Sequence, residues 1–322
     1  MESKIMELWK ELLGLESIGL NDNFFHIGGD SILSIQFIAK AKKAGILITP
    51  NQIFDHQTVA ELARFITENE SKSDQWDYLV TLRKEGSKLP LFCVHAGGGH
   101  VFFYNILTKY IDADRPLYAL QASGFYGDKP MHNSIVEMAH DYIDSIRKVQ
   151  KNGPFNIMVY CFSITVGHEM LRQLKAQGFD ANLIVLDTAN EPESLMLRIK
   201  VLMKLLRKQP LQALKLRLGL RLLRLKLLLN KKVGTEESRA LSRVHENLIR
   251  INEEYHWTTH QEKIKLILTR KIDERTNTMI LDSWRKVALG GVSISVIDGD
   301  HANLFTEPDV ASVGMTIENC CL

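Results

Sequence analysis

Cys161 ends the apolar run Phe155-Asn-Ile-Met-Val-Tyr and leads into Phe162-Ser163-Ile164 and a helical pattern. A strand, a tight turn and a helix in that order present a nucleophile on a strained turn at a helix N-terminus. That position, with an imidazole nearby, favours a thiolate able to attack a carbonyl, whereas a lone buried cysteine is otherwise a small core hydrophobe. Partners for such a nucleophile belong at the ends of later strands. Asp187 closes the run Leu183-Ile-Val-Leu, and His301 lies in Asp298-Gly-Asp-His-Ala-Asn-Leu-Phe after the last apolar run. The chain order is therefore nucleophile, acid, base, with Asp298 and Asp300 read as turn residues. His95 is the competing histidine, but it runs into Ala96-Gly97-Gly98-Gly99 and reads as shaping that loop. The glycine run lacks the spacing of a phosphate-binding loop. Backbone N–H groups at Gly97 and Phe162 suit an oxyanion instead, since glycine lets the backbone approach closely.

A second candidate lies near the N-terminus, in Asp22-Asn-Phe-Phe-His-Ile-Gly-Gly-Asp-Ser-Ile. Two glycines bring Ser31 to the start of a helix, where unpaired N–H groups and the helix dipole favour a phosphate. The plainer reading is that Asp30 or Ser31 is only a helix cap.

These residues need elements to hold them. Up to about residue 70 the pattern is helical: Ile5, Leu8, Trp9, Leu12 and Leu13 share a face, a second helix runs from Ser31 to a stop at Gly45, Thr49-Pro50-Asn51-Gln52 opens a third, and Thr58/Glu61 forms a capping box. A polar stretch, 71–80, reads as a linker. Beyond it, the apolar runs Leu91–Val94, Pro116–Leu120, Phe155–Tyr160, Leu183–Leu186, Ile264–Leu268 and Val292–Ile297 alternate with helical patterns. The strongest helix is Ser134–Gln150, with Ile135, Met138, Ala139, Tyr142, Ile143, Ile146 and Val149 on one face. Strands alternating with helices imply a mostly parallel sheet covered on both faces.

The four cysteines, at 93, 161, 320 and 321, are too few and too uneven for a disulfide framework or a zinc site. The net charge of +2 conceals an asymmetry, because Ser194–Lys232 holds twelve Lys and Arg with no Asp or Glu, leaving 28 basic against 38 acidic residues elsewhere. One locally basic element argues against a nucleic-acid partner. Without a secretory signal pattern or a long apolar run, a cytoplasmic protein without a membrane partner is expected.

Residues 1–70 resemble the peptidyl carrier domain of nonribosomal peptide synthetases, whose F-x-x-x-G-G-[DH]-S pattern and following apolar residue are matched from Phe25 to Ile32. The resemblance implies a small four-helix carrier domain with 4′-phosphopantetheine covalently attached at Ser31 by a phosphopantetheinyl transferase. Residues 81–322 resemble the type I thioesterase domain that ends such assembly lines, in the α/β-hydrolase fold, with a helical lid inserted at about 191–256. The matching stretches are Phe92-Cys-Val-His-Ala-Gly-Gly-Gly, Val159–Ser163, Leu186-Asp187 and Gly299-Asp-His301-Ala-Asn-Leu. This implies a Cys161-His301-Asp187 triad, an oxyanion hole at Gly97 and Phe162, and upstream synthetase modules that deliver a peptidyl thioester. Neither a metal nor a redox cofactor is implied.

The sequence departs from the family's G-x-S-x-G elbow by placing Val159 and Ser163 at the glycines and Cys161 at the serine. Transfer to cysteine exchanges one thioester for another and keeps the acyl group activated. Release by cyclisation to a lactone or lactam, or by aminolysis, is therefore expected, as in antibiotic biosynthesis. Hydrolytic release or proofreading is the first alternative, and a catalytically silent docking fold the second. The basic stretch reads as two amphipathic helices of the lid, its charges set against a carrier holding ten acidic and six basic residues in 1–70. In isolation that stretch would also suit a membrane surface, as in a membrane-associated lipase.

Overall fold

The structure is a computed structural model and describes residues 1–29, 31–46, 48, 52–53, 56–68, 78–124, 130–190, 236–270 and 274–322. The N-terminal unit contains α1 (Glu2–Leu13), α2 (Ser31–Lys43) and α3 (Val59–Glu68). Gln52 and Ile53 are helical, but the cap expected at Thr49-Pro50-Asn51 lies outside the described residues. Gly14 ends α1 with φ 66°, and Gly45 ends α2 with φ 78° while Ile46 N–H returns to the Ala41 carbonyl, conformations that an L side chain resists. The capping box at α3 forms in both directions, Glu61 N–H to Thr58 Oγ1 (3.2 Å) and Thr58 N–H to Glu61 Oε2 (3.3 Å). Trp9, Phe24 and Phe37 are fully buried, Trp9 lying 4.9 and 5.9 Å from the other two rings.

The larger unit is a seven-stranded sheet: β1 (Leu79–Arg83), β2 (Leu91–Val94), β3 (Leu117–Leu120), β4 (Phe155–Tyr160), β5 (Ala181–Leu186), β6 (Ile264–Thr269) and β7 (Val292–Ile297). The spatial order is β1-β3-β2-β4-β5-β6-β7, with β1 antiparallel to β3 and every other pairing parallel. This is the α/β-hydrolase fold, with helices on both faces. All six apolar runs become strands. β1 adds a seventh, beginning at Leu79 inside the stretch read as linker, of which 71–77 lie outside the described residues.

Strand side chains alternate between faces, so the sheet splits its core in two. Phe92, Val94, Ile157, Val159, Leu183 and Val185 pack on one side with α4 (Ile135–Val149) and α5 (Ile164–Ala176). On the other side Leu91, Cys93, Met158, Ile184 and Leu186 pack with α8 (Asp309–Cys320), which comes after α6 (Glu236–Glu253) and α7 (Glu274–Arg285) in the chain. Ser134 caps α4 as its sequence pattern predicts, accepting from Glu137 N–H at 3.1 Å. The helical face is buried through Ile146, but Val149, in the last turn, is 42% exposed.

The basic stretch Ser194–Lys232 lies within 191–235, outside the described residues. The remainder of the expected lid is α6, whose Ala240, Val244, Leu248 and Ile251 are buried, the last three in the main core. Among the described residues no helix is long and apolar enough to cross a membrane.

Candidate active site

β4 lies at the centre of the sheet, and its carboxyl end is where open parallel sheets place their ligands. Cys161 comes directly after it with φ 59° at the head of a 3-10 turn, Cys161–Ser163, that runs into α5. A positive φ in a residue with a Cβ is a strained conformation that surrounding contacts must hold. Three do so here. Cys161 N–H donates to Thr188 Oγ1 (3.1 Å), and Ser163 Oγ accepts from Tyr160 N–H (3.0 Å) and donates back to the Tyr160 carbonyl (3.0 Å).

Ser163 is fully buried, so the serine standing at a family glycine acts as an internal brace of the turn. The other replaced glycine, Val159, is also fully buried, and its space comes from Gly167 one turn into α5. A Cβ at Gly167 would lie 2.3 Å from Val159 Cγ1 and 3.0 Å from Leu183 Cδ1. The room that the family motif obtains at the elbow is thus provided across the strand–helix interface. Gly167→Ala is expected to cost about 2 kcal/mol of stability through overpacking. Combined with Val159→Ala, it is expected to cost less than the two single changes together. Urea unfolding of the singles and the double checks this, and additive costs would show that the two positions do not share the space.

Asp187 also has a positive φ, 44°, and is buried at the end of β5. Its Oδ1 accepts from Thr269 N–H (2.9 Å), while its Oδ2 accepts from Thr269 Oγ1 (3.1 Å) and from His301 Nδ1 (3.1 Å). A buried carboxylate with three donors is held in one orientation. His301 opens the 3-10 turn His301–Asn303 after β7 and is hydrogen-bonded to both Asp187 and the Cys161 thiol. The bond to Asp187, then the one to Cys161, outweighs partial burial and raises its pKa from 6.5 to about 9. With Nδ1 committed to Asp187, Nε2 is the nitrogen left for Cys161. The structure thus brings together the three residues expected from the sequence.

Gly97 and Phe162 also meet: a Cβ at Gly97 would lie 2.4 Å from the Phe162 ring. His95 is buried, its Nδ1 bonded to the Ala96 carbonyl (2.8 Å) and its pKa lowered to about 4 chiefly by burial, which suits a neutral loop-shaping residue. Other residues at the site carry no sequence signal of their own. The Tyr160 ring lies 4.9 Å from that of His301, and its hydroxyl donates to the His301 carbonyl. Tyr160 neighbours the elbow in sequence, so its adjacency was the available clue. Thr188 and Thr269, each just beyond a strand end or closing one, had only their position. His245 and Asn252 had none.

In the N-terminal unit, Gly28 has φ 109° and a Cβ at Gly29 would come within 2.4 Å of the buried Phe24 ring, so both glycines are required. They deliver the chain to Ser31, the first residue of α2, whose first turn contains no acidic side chain to oppose a phosphate. Phe25, just ahead of this turn, packs against the carrier core and also against the core on the α8 side of the sheet. Helix α2 contacts α6.

The family model "Thioesterase domain" matches residues 89–320, and "Phosphopantetheine attachment site" matches residues 3–66. The chain is 36% identical over 188 residues to malpinin synthetase of Mortierella alpina, covering 58% of this chain and 2% of that protein. It is 36% identical over 186 residues to a dimodular nonribosomal peptide synthase of Bacillus subtilis, covering 58% of this chain and 8% of that one. In fold it is similar to a four-domain nonribosomal peptide synthetase solved in its holo form, with a TM-score of 0.63 and 23% identity over 99% of this chain and 26% of the other. The chain thus spans a small fraction of the relatives it matches.

Proposed function

The chain belongs to the thioesterase domain family and carries a phosphopantetheine attachment domain ahead of it, and from that premise we propose that it releases a finished peptide at the end of a nonribosomal assembly line, with Cys161 as nucleophile. The observation that supports this most is the Asp187–His301–Cys161 hydrogen-bonded chain at the carboxyl end of the central strand. The domains are read as a carrier over 1–70, a linker over 71–80 and a thioesterase over 81–322, with the lid at about 191–256.

Ser31, at the N-terminus of α2 behind Gly28 and Gly29, is the residue that would hold 4′-phosphopantetheine, and the start of that helix suits its phosphate. When bound, the arm supplies a thiol that carries the acyl chain as a thioester. His301 Nε2 takes the proton of Cys161, and Sγ attacks the thioester carbonyl. The N–H groups at Gly97 and Phe162 receive the charge that develops on the carbonyl oxygen. As the carbon–sulfur bond to the arm breaks, the imidazolium returns the proton to the departing thiolate, leaving an acyl-Cys161 thioester. Asp187 keeps Nδ1–H pointing away from the nucleophile and stabilises the imidazolium.

His301 then deprotonates the second nucleophile, which attacks the acyl-enzyme and expels Cys161. An amine or hydroxyl of the peptide itself gives a lactam or lactone, a separate amine gives aminolysis, and water gives the linear acid. A thioester intermediate retains the activation that a strained ring closure needs, so cyclisation or aminolysis is the favoured outcome. The upstream synthetase modules and a phosphopantetheinyl transferase are the partners this reading requires.

The test is to load Ser31 with a peptidyl-pantetheine through a phosphopantetheinyl transferase and monitor the intact protein and the product by mass spectrometry. The acyl mass is expected to appear on a peptide containing Cys161, and the product to be lighter than the free acid by one water for cyclisation. Free acid as the sole product of a native-like chain would replace cyclisation with hydrolysis. An acyl group that never leaves the arm would favour a docking role for the hydrolase fold.

A further inference from the structure

The two proposed oxyanion donors belong to segments far apart in sequence. Gly97 lies in a run of three glycines, which have no side chains to pack and a wide conformational range. Phe162 lies on the strained elbow. Both are held by one helix. His245 Nδ1–H donates to the Gly97 carbonyl at 2.7 Å, and Asn252 Nδ2–H donates to the Phe162 carbonyl at 3.1 Å. The two residues are seven apart on α6, two turns, and therefore project from the same side.

The donor assignments are constrained by their partners. A carbonyl only accepts, so Nδ1 of His245 carries the proton. Thr165 Oγ1 donates to Asn252 Oδ1 at 2.6 Å, which turns the Nδ2 group toward Phe162. The His245 ring also meets the Phe162 ring edge-on at 5.9 Å, and that ring fills the space over Gly97. Helix α6 is itself anchored, with Val244 and Ile251 each 1% exposed beside the two polar residues.

We propose that His245 and Asn252 are positioning residues that clamp the two halves of the oxyanion hole into register, so that acyl transfer depends on the seating of α6. A bond to a peptide carbonyl fixes the plane of that peptide. That peptide carries the N–H of the next residue, Gly98 or Ser163, so the bond fixes ψ at Gly97 and at Phe162 and with it the backbone from which each donor N–H projects. This inference rests on Cys161 being an acyl-accepting nucleophile.

The chemistry offers a separation between building the hole and building the nucleophile. Attack on a thioester carbonyl generates an oxyanion, whereas alkylation of a thiol by iodoacetamide does not. Burial pushes the other three thiols upward, Cys321 to about 12, which leaves them poorer competitors for the alkylating agent. In the full chain, His245→Ala and Asn252→Ala are each expected to lower kcat for an acetyl-N-acetylcysteamine thioester by about tenfold or more with little change in KM. The alkylation rate of Cys161, tracked by peptide mass mapping, is expected to stay within about twofold of wild type, since the nucleophile itself is untouched. His245→Asn, which keeps an N–H donor close to the place of Nδ1, is expected to recover most of the rate. Unchanged kcat in both alanine variants, or alkylation falling in parallel with acyl transfer, would overturn the clamp. A wild-type chain that alkylates at Cys161 but accepts no acyl group would remove the thioesterase reading beneath it.

Discussion

Cys161→Ala is expected to leave an acyl chain stranded on the Ser31 arm, with release slowed by about 10⁴-fold or more. Removing the nucleophile of a triad leaves only what the oxyanion hole and binding contribute over water, and that remainder is small. The change itself is mild for the fold. It deletes one sulfur from a partly exposed side chain, and the bonds that hold the elbow come from backbone groups and from Ser163 and Thr188. Alanine also tolerates the positive φ no worse than cysteine does. Intact-mass analysis of loaded wild type and variant over time separates the possibilities. Equal discharge in both would mean that another group accepts the chain or that water attacks the arm thioester directly, and Cys161 would lose its role.

The second large effect is expected at Asp187. In Asp187→Asn the backbone N–H of Thr269 still requires an acceptor, so the amide oxygen takes the place of Oδ1. The NH₂ group then faces His301 Nδ1 and must donate to it, which forces the ring proton onto Nε2, the nitrogen facing Cys161. The base is occupied before it can act. A serine nucleophile loses about 10⁴-fold from this exchange. A thiol gives up its proton more readily than a hydroxyl, so a smaller fall, about 10²–10³-fold in kcat, is expected here.

The same substitution has a pH signature. The folded-state pKa of His301 is raised to about 9 from 6.5, first by the bond to Asp187 and then by that to Cys161. A raised imidazole contributes stability that is complete below pH 6.5 and disappears as the pH climbs through 9. The variant lacks most of this contribution. The stability gap between wild type and Asp187→Asn, measured by urea unfolding, is therefore expected to narrow between pH 6.5 and 9. His301 is partly exposed, so solvent screening keeps the gap modest. An NMR titration of the His301 ring gives the direct check: a midpoint near 9 in wild type that moves toward 6.5 in the variant. An unmoved midpoint would mean that Asp187 does not set the charge of His301.

Much of the architecture was legible because it depends on short-range chemistry. Apolar runs of four to six residues became strands, Ser134 and Thr58 became caps, and Gly14 and Gly45 ended helices, since each of these is decided within a few residues. The candidate triad was legible for a related reason. In a parallel sheet every strand points its carboxyl end the same way, so residues that close successive strands are gathered on one edge whatever their distance in the chain.

Every adjustment made between elements was left open by the chain order. Val159 and Ser163 were legible only as departures from the elbow pattern, and it is the packing that places Gly167 against one and a pair of backbone bonds on the other. His245 and Asn252 carried no signal in the sequence, because periodicity reports which face of a helix is apolar and not which carbonyl a polar side chain will meet. By itself, then, the sequence determined the elements, their order and the chemical groups placed at the strand ends. Only the tertiary structure decided how a strained cysteine is accommodated and what holds the oxyanion loop. Gly167 against Val159 and His245 on Gly97 are contacts between residues 8 and 148 positions apart, which side-chain volumes and the crossing of packed elements set and local pattern does not.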